Sequence, residues 1–349
     1  MNLEQLVAHY LSVELPGKAY STVEGYKSYL KLHVVPQWGE HSLASIKAVK
    51  VEAWLRDLKK ANGQPASPAT KAKIRNIMSV VFSHAKRHEW ASRNPIEDVR
   101  TSTKRLRIPE ILTATEFQAL MTELGPRERL MVAWAGTTGL RRGELIALRW
   151  RDIDFDNNQA SVLHSVWRNV MGDAKTEASR KPVPLPKFLV DAMKEWRSAS
   201  LYKSDDDFLF PSIWMNGATP ISPDSILKKA IRPALTRLDI KKRIGWHSFR
   251  HGLGTMLRQH GADVKVAQEM LRHANPRITL AIYQQAVSEE KRVAQNQVCN
   301  TLFDGGFSIG PFRTLEEVTT EETSTINDLD SGVYGGDDGA RTRDLCRDS

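Results

Sequence analysis

The segment LRHANPRITLAIYQQA, residues 271–286, brings chemically distinct residues together within a short stretch of chain. His273 ends one predicted helix, Pro276 suits the first turn of the next, and Tyr283 follows two turns later. Ile278, Leu280 and Ile282 supply apolar surface on which this helix can dock. Taken alone, Tyr283 has two interpretations: a ring packed into a core, or a hydroxyl that takes part in chemistry.

The rest of the chain limits the class of protein. Its 349 residues suffice for two domains, each with its own core. It contains no apolar run of about 18 residues that would predict a membrane span, and its start lacks the layout of a signal peptide. Cys299 and Cys346 are its only cysteines, which is too few for a disulfide framework or a four-cysteine metal site. We therefore predict a reducing, cytoplasmic setting without membrane attachment.

Charge is unevenly distributed along the chain. The net charge is +9, but residues 304–349 hold four Lys/Arg against eleven Asp/Glu, so residues 1–303 carry +16. That excess is shared, with +8 in residues 1–105 and +8 in residues 106–303. A basic body predicts a polyanionic partner, most commonly nucleic acid. The alternative is a basic protein whose charges are simply solvated.

Residues 1–99 have the apolar spacing of helices and form a predicted helical domain. Ser21 and Glu24 have the spacing of a capping box, and Ser67–Pro68 predicts another helix start. Lysines and arginines line these helices, either as solvated faces or as phosphate contacts. Residues 100–109 are basic and predict a linker.

After residue 110 the pattern becomes mixed. Helical stretches surround DIDFDNNQASVLHSVW, which alternates apolar and polar residues around the turn residues 156–158, and RKPVPL, which predicts a further strand. We therefore predict a mainly α fold with a small antiparallel β-sheet, in which 110–303 form a second, α+β domain. Residues 304–349 are rich in glycine, threonine and acidic residues and predict a disordered tail.

Candidate functional residues occur in several motifs of this second part. TGLRRGEL places Arg141 after a small-residue turn with Glu144 three residues on, and Lys175 lies in a predicted hairpin turn. HSFRHGLGT places His247 and Arg250 on one helix face. Each feature alone has an ordinary structural explanation, namely a helix start, a solvated lysine or a structural polar group.

Together, these residues suit phosphoryl transfer on DNA. That reaction needs a nucleophile, charge stabilisation on the phosphate oxygens and a proton for the leaving oxygen. Arginine binds phosphate oxygens through its planar fork, and tyrosine can form a covalent intermediate. Because free tyrosine has a pKa of about 10, nearby cations or a base must assist it.

The ordered motifs TGLRRGEL, a hairpin lysine, HSFRHGLGT, LRHAN and ITLAIYQQ resemble those of tyrosine recombinases of the phage integrase family. The resemblance covers about 300 residues. It implies an N-terminal helical core-type DNA-binding domain (SAM-like) and a C-terminal α+β catalytic domain. It also implies site-specific cutting and rejoining of DNA without metal, ATP or another cofactor.

The resemblance further implies roles for single residues. Arg141 and Arg250 match the family's two phosphate-clamping arginines, and Tyr283 matches the nucleophile that forms a 3′-phosphotyrosyl link. Lys175 matches the general acid toward the 5′ oxygen. If Lys175 has another role, Lys181 is the next lysine to examine.

Three other positions match supporting residues of the family. His247 matches the histidine that assists proton transfer, His273 matches the histidine that hydrogen-bonds the phosphate, and Glu144 matches an acidic residue that supports the site. Arg272 departs from the pattern, because a glycine is common there, and it adds a cation near the site.

The expected partners are double-stranded DNA and further copies of the chain, as a tetramer on paired sites. Accessory DNA-bending or directionality factors are also candidates, and the expected location is the nucleoid. Two alternatives to an integrase of a phage or mobile element stay open: a Xer-like recombinase that resolves dimers, and a catalytically silent DNA-binding relative.

Overall fold

The computed structural model describes residues 1–101, 109–173, 182–273 and 275–285, and of residues 281–285 only the backbone. These residues form two hydrophobic cores. One is built from residues 3–99 and the other from residues 112–249. No helix within the described ranges is both long and apolar enough to span a bilayer.

Residues 1–101 are helical around the first core. The helices are α1 Leu3–Val13, α2 Tyr20–Tyr29, α3 Val35–Trp38, α4 Ala48–Asp57 and α5 Pro68–Arg87. A π-helical turn, Leu30–Val34, joins α2 to α3. Helix α1 packs on α3 and α5, and the contacts bury Leu6, Ile74 and Phe82 completely. The apolar periodicity therefore predicted the helical character of this region correctly.

Of the helix starts predicted from capping residues, one agrees with the structure and one does not. Ser67 caps α5 as predicted, because its Oγ accepts the Thr70 N–H at 3.1 Å. The capping box predicted at Ser21 and Glu24 is wrong, since α2 already begins at Tyr20 without a side-chain cap.

Residues 109–285 contain a second set of helices around the other core. They are α6 Ala114–Glu123, α7 Pro126–Thr138, α8 Arg142–Leu145, α9 Lys187–Ala199, α10 Pro223–Ile226, α11 Arg232–Arg237, α12 Trp246–Gln259, α13 Val264–Met270 and α14 Pro276–Gln285. Helix α12 packs against α7, and α14 packs against α12 and α13. This packing brings together segments that are distant in the sequence.

Among the described residues, two small antiparallel sheets accompany these helices. One has the order β1 (Ile153–Asp154), β2 (Gln159–Ala160), β5 (Val183–Pro184), and the other is the hairpin of β3 (His164–Trp167) and β4 (Val170–Asp173). The turn predicted at residues 156–158 joins β1 to β2, and the strand predicted in RKPVPL is β5. The β3–β4 hairpin was not predicted. Its two turn residues, Arg168 and Asn169, have φ of 48° and 61°, a conformation for which only Asn169 gives a sequence signal.

Candidate active site

The candidate site begins where α7 ends. Gly139 has a φ of +62°, a left-handed conformation that glycine adopts without steric cost. A Cβ atom at this position would lie 2.9 Å from Leu271 Cδ2 and 3.1 Å from Leu253 Cδ2. Both the dihedral angle and the close packing therefore require glycine. The absence of a side chain lets the α7–α8 turn lie directly against the segment that precedes α14.

Arg141 and Arg272 meet at the carboxylate of Glu144. Arg141 precedes α8, and its Nη1 donates to Glu144 Oε1 at 2.8 Å while its backbone N–H donates to Oε2 at 3.0 Å. Arg272 Nη2 donates to Oε2 at 2.5 Å. Burial opposes ionisation of Glu144, but the charges of Arg272 and Arg141 outweigh it and lower the pKa of this carboxyl. Glu144 is therefore an anion that fixes both arginines.

Arg250 is the most buried cation proposed to contact the substrate. It lies on α12 with 5% of its surface exposed, and its Nη1 and Nη2 donate to the carbonyl oxygens of Gly139 and Leu271. Burial, followed by the charge of Arg141, lowers the pKa of Arg250 to about 9. The side chain therefore stays protonated at neutral pH, and its position is set by main-chain atoms from both neighbouring segments.

The two histidines predicted for the site differ in exposure. His247 lies on α12, one turn before Arg250, and is exposed, whereas His273 is 6% exposed. Loss of water and the charge of Arg250 lower the pKa of His247. Burial, Arg250 and Arg141 lower the pKa of His273 to about 4. Both imidazoles are therefore neutral at pH 7, and each has one ring nitrogen that donates and one that accepts a hydrogen bond.

Thr279, for which no sequence motif gave a signal, connects His273 to α14. Its fully buried side chain places Oγ1 2.9 Å from His273 Nδ1. The backbone N–H of His273 itself donates to the Gln268 carbonyl oxygen at 3.0 Å. The helical spacing of Thr279 to Tyr283 was visible in the sequence, but the contact with His273 depends on how α14 docks.

The structure brings most of the predicted site residues together. Arg141, Glu144, Arg250 and His273 are connected through shared main-chain and carboxylate contacts, and His247 is on the same helix as Arg250. The backbone of Tyr283 belongs to α14. Its side chain lies outside the described residues, as do Lys175 and Lys181 in full.

The cluster is electrostatically suited to an anion. Arg141, Arg250 and Arg272 carry three positive charges, and Glu144 carries one negative charge. Cations gathered at a partly buried site raise one another's free energy, and a bound anion relieves that repulsion. Arg272 was expected to add a cation near the site. It lies there, but its guanidinium is buried against Glu144 and thereby supports the site from within.

Family comparison covers both parts of the chain. The model described as phage integrase family matches residues 110–290, just over half of the chain, and the model described as phage integrase central domain matches residues 3–102. A tyrosine recombinase of Pseudothermotoga lettingae is 29% identical over 258 residues, which cover 73% of this chain and 84% of that protein. A tyrosine recombinase XerD of Ralstonia nicotianae is 24% identical over 287 residues, covering 80% and 89% respectively.

Solved structures share the fold. The Tn1549 transposon integrase in complex with transposon right end DNA has a TM-score of 0.69 at 18% identity and covers 93% of this chain and 100% of its own. A lambda integrase dimer bound to a COC′ core site has a TM-score of 0.63 at 16% identity and covers 81% and 95%. The matching family model, the ordered motifs and the fold lead to one conclusion. The chain belongs to the phage integrase family of tyrosine recombinases.

Proposed function

We propose that this enzyme cuts and rejoins double-stranded DNA at specific sites through a covalent 3′-phosphotyrosyl intermediate on Tyr283. The observation that carries the proposal is the convergence of three distant motifs on one cationic cluster. Arg250 donates to carbonyl oxygens of the segments that contain Arg141 and His273. Helix α14, which carries Tyr283, begins three residues after His273.

In the proposed reaction, Arg141 and Arg250 hold the scissile phosphate. Each guanidinium has several N–H donors in a planar fork, so one edge can bond to protein while another faces phosphate oxygens. Arg250 is held by main-chain carbonyls and Arg141 by Glu144. This preorganisation stabilises the charge of the pentavalent transition state without rearrangement during the reaction.

Tyr283 Oη attacks phosphorus, and the bond from phosphorus to the 5′ oxygen breaks. The tyrosine proton passes to a base, for which we propose His247, because its lowered pKa keeps the imidazole neutral at pH 7, with one ring nitrogen able to accept a proton. His273 donates a hydrogen bond to the phosphate from its Nε2, while its Nδ1 contacts Thr279. In the reverse step a DNA 5′-hydroxyl attacks the phosphotyrosine and releases Tyr283, so no ATP is consumed.

The test of this function uses Tyr283→Phe, which removes one oxygen and keeps the ring. Folding and DNA binding should be preserved, while cleavage and the covalent protein–DNA adduct should both be lost. Denaturing gels of enzyme with a nicked target site measure the adduct. An adduct that persists in the variant would show that another residue attacks.

Lys175 is proposed to protonate the leaving 5′ oxygen. Loss of a general acid typically slows a reaction about 10²–10⁴-fold, so Lys175→Ala should be slowed to that extent. A substrate with sulfur in place of the leaving oxygen needs no proton, and on it the variant should cleave nearly as fast as the parent. Absence of rescue would assign Lys175 another role, and Lys181→Ala is the comparison that would then identify the acid.

We further propose that the recombining unit is a homo-tetramer on paired DNA sites and that the biological role is integration of a mobile element. The net charge of +16 over residues 1–303 supports DNA as the partner. A dimer-resolving role is the competing hypothesis. Recombination assays between identical sites on one plasmid and between two dissimilar sites distinguish them, because integration requires the second reaction.

A further inference from the structure

A second group of histidines lies in the helical region, outside the proposed catalytic cluster. His9 is on α1, His84 is on α5, and His88 directly follows the last residue of α5. One ligand-capable nitrogen from each ring lies within 4.8 Å of those of the other two. His84 is only 3% exposed, so the group is partly built into the core between two helices.

The geometry is close to that of a metal site. His9 Nδ1 and His84 Nε2 are 3.0 Å apart. Two nitrogens bound to one tetrahedral Zn²⁺ at bond lengths of about 2.0–2.1 Å lie about 3.3 Å apart. His84 and His88 are four residues apart, a spacing that brings side chains onto the same face of a helix. Only small side-chain movements are needed for all three nitrogens to bind one ion.

Neighbouring residues orient the three rings. Glu14 Oε1 lies 3.2 Å from His84 Nδ1, which is the carboxylate–histidine pairing that presents the opposite nitrogen to a metal. The Trp90 ring stacks on His88 at a centroid distance of 4.7 Å and meets the His9 ring edge to face at the same distance. Trp90 therefore packs against His9 and His88, and Glu14 holds His84 through the nitrogen opposite the one that faces His9.

Arg87 makes a competing contact. Its Nη2 lies 3.0 Å from His84 Nδ1 and also pairs with Glu14. A neutral His84 can either donate from Nδ1 to Glu14 or accept there from Arg87, but not both. Donation to Glu14 leaves a lone pair on Nε2 directed at His9, and a metal ion would select this tautomer. Glu14 also offsets the charge of Arg87 near a bound cation.

We propose that His9, His84 and His88 form a binding site for a divalent first-row transition-metal ion of the kind that imidazole ligands favour, such as Zn²⁺. The fourth position would be taken by water. Because the site joins α1 to the end of α5, the ion would stabilise the helical region and take no part in DNA cleavage. The sequence predicted no metal site, because 75 residues separate His9 from His84 and no local ligand pattern is visible.

The test uses the full chain, stripped of metal with a chelator and titrated with Zn²⁺ in a calorimeter. Binding of one ion per chain is expected, together with a rise in melting temperature of roughly 5 °C at a free Zn²⁺ concentration tenfold above Kd. His88→Gln should lose both effects. His41→Gln, at an exposed histidine of the same region, should keep both and is the matched control.

The catalytic region contains histidines of its own, so His247→Gln is measured in parallel. Binding that is lost in His247→Gln and kept in His88→Gln would place the ion there and overturn the proposal. Circular dichroism of the metal-free proteins checks that His88→Gln folds, and Co²⁺ absorption in the visible range reports whether the bound ion is tetrahedral. No binding by the folded parent chain would also overturn the proposal. His9 and His84 would then be a hydrogen-bonded pair without a metal-binding role.

Discussion

Asn94 and Arg250 are both buried polar side chains, one in each core region, yet their surroundings differ. Asn94 is 3% exposed, and its Nδ2 donates to Ser79 O, Ser79 Oγ and Ser83 Oγ at 3.0–3.1 Å while its Oδ1 accepts the Ile96 N–H at 3.0 Å. All of these partners are neutral. The side chain ties residues 94–96 to α5, and its bonds are satisfied within the protein.

Arg250 is equally well positioned but carries a charge into a cluster with more cations than anions. Its two main-chain bonds fix its direction, and Arg141 and Arg272 lie close enough to lower its pKa. Burial of like charges costs stability, whereas the neutral network around Asn94 carries no such cost. On the proposed function, the difference separates a buried polar group that serves folding from one that prepares a site for an anionic substrate.

The largest expected effect is on catalysis, at Arg250. Arg250→Lys keeps a positive charge but loses the planar fork that reaches two carbonyl oxygens and, in the proposed reaction, the phosphate. DNA cleavage at saturating DNA should fall by about 10²–10³-fold, the usual cost of losing one preorganised donor. Single-turnover cleavage of a nicked site measures this effect.

Arg75→Lys is the matched control, because Arg75 also donates to two main-chain carbonyl oxygens, those of Glu97 and Val99. Its cleavage rate at saturating DNA should stay near that of the parent. Equal losses in both variants would mean that the charge cluster around Arg250 has no special part in the reaction.

Asn94→Ala should lower stability and leave catalysis unchanged, the reverse of what is expected for Arg250→Lys. Removal of the amide leaves the buried Ile96 N–H without its partner, so we expect a loss of stability of about 1–3 kcal/mol. The cleavage rate of the folded enzyme should be unchanged. Urea unfolding measures the stability, and single-turnover cleavage measures the rate. A large rate defect in the folded variant would contradict the contrast drawn between Asn94 and Arg250.

A smaller effect is expected on the pH dependence of folding stability, to which His273 contributes. Its pKa is about 4 in the folded protein and about 6.5 when unfolded. Between these values the unfolded chain binds a proton that the native state does not, so stability falls as the pH decreases through this window and is unaffected by His273 above it. The loss at pH 5 relative to pH 8 should be about 2 kcal/mol.

His273→Asn isolates this contribution, since asparagine keeps polar atoms near Thr279 but does not titrate. The parent should lose about 2 kcal/mol more than the variant between pH 8 and pH 5, measured by urea unfolding at each pH. Identical pH profiles would show that the burial of His273 imposes no cost on protonation.

The sequence predicted the parts of the fold that depend on local patterns. Apolar periodicity located the helices, and Pro276 marked the start of α14 correctly. It failed at Ser21, where the residues fit a capping box but the helix begins one residue earlier. It also missed the turn at Arg168 and Asn169, because an arginine with positive φ gives no signal in a sequence.

The candidate site was predictable only as a set of residue types in order. The contacts that give it its chemistry are long-range. Arg272 and Glu144 are separated by 128 positions, and Arg250 and Gly139 by 111. No local pattern contains such pairings, and Thr279 shows the same limit, since its role follows from the docking of α14 beside His273.

The most direct test of the central claim is to identify the residue that becomes attached to DNA. The enzyme is incubated with a nicked target site that traps the covalent complex, the complex is digested with protease and nuclease, and the modified peptide is sequenced by mass spectrometry. The account predicts a nucleotide on Tyr283, within the peptide that includes ITLAIYQQ. Attachment at any other residue, or a cleaved product without a covalent adduct, would contradict it.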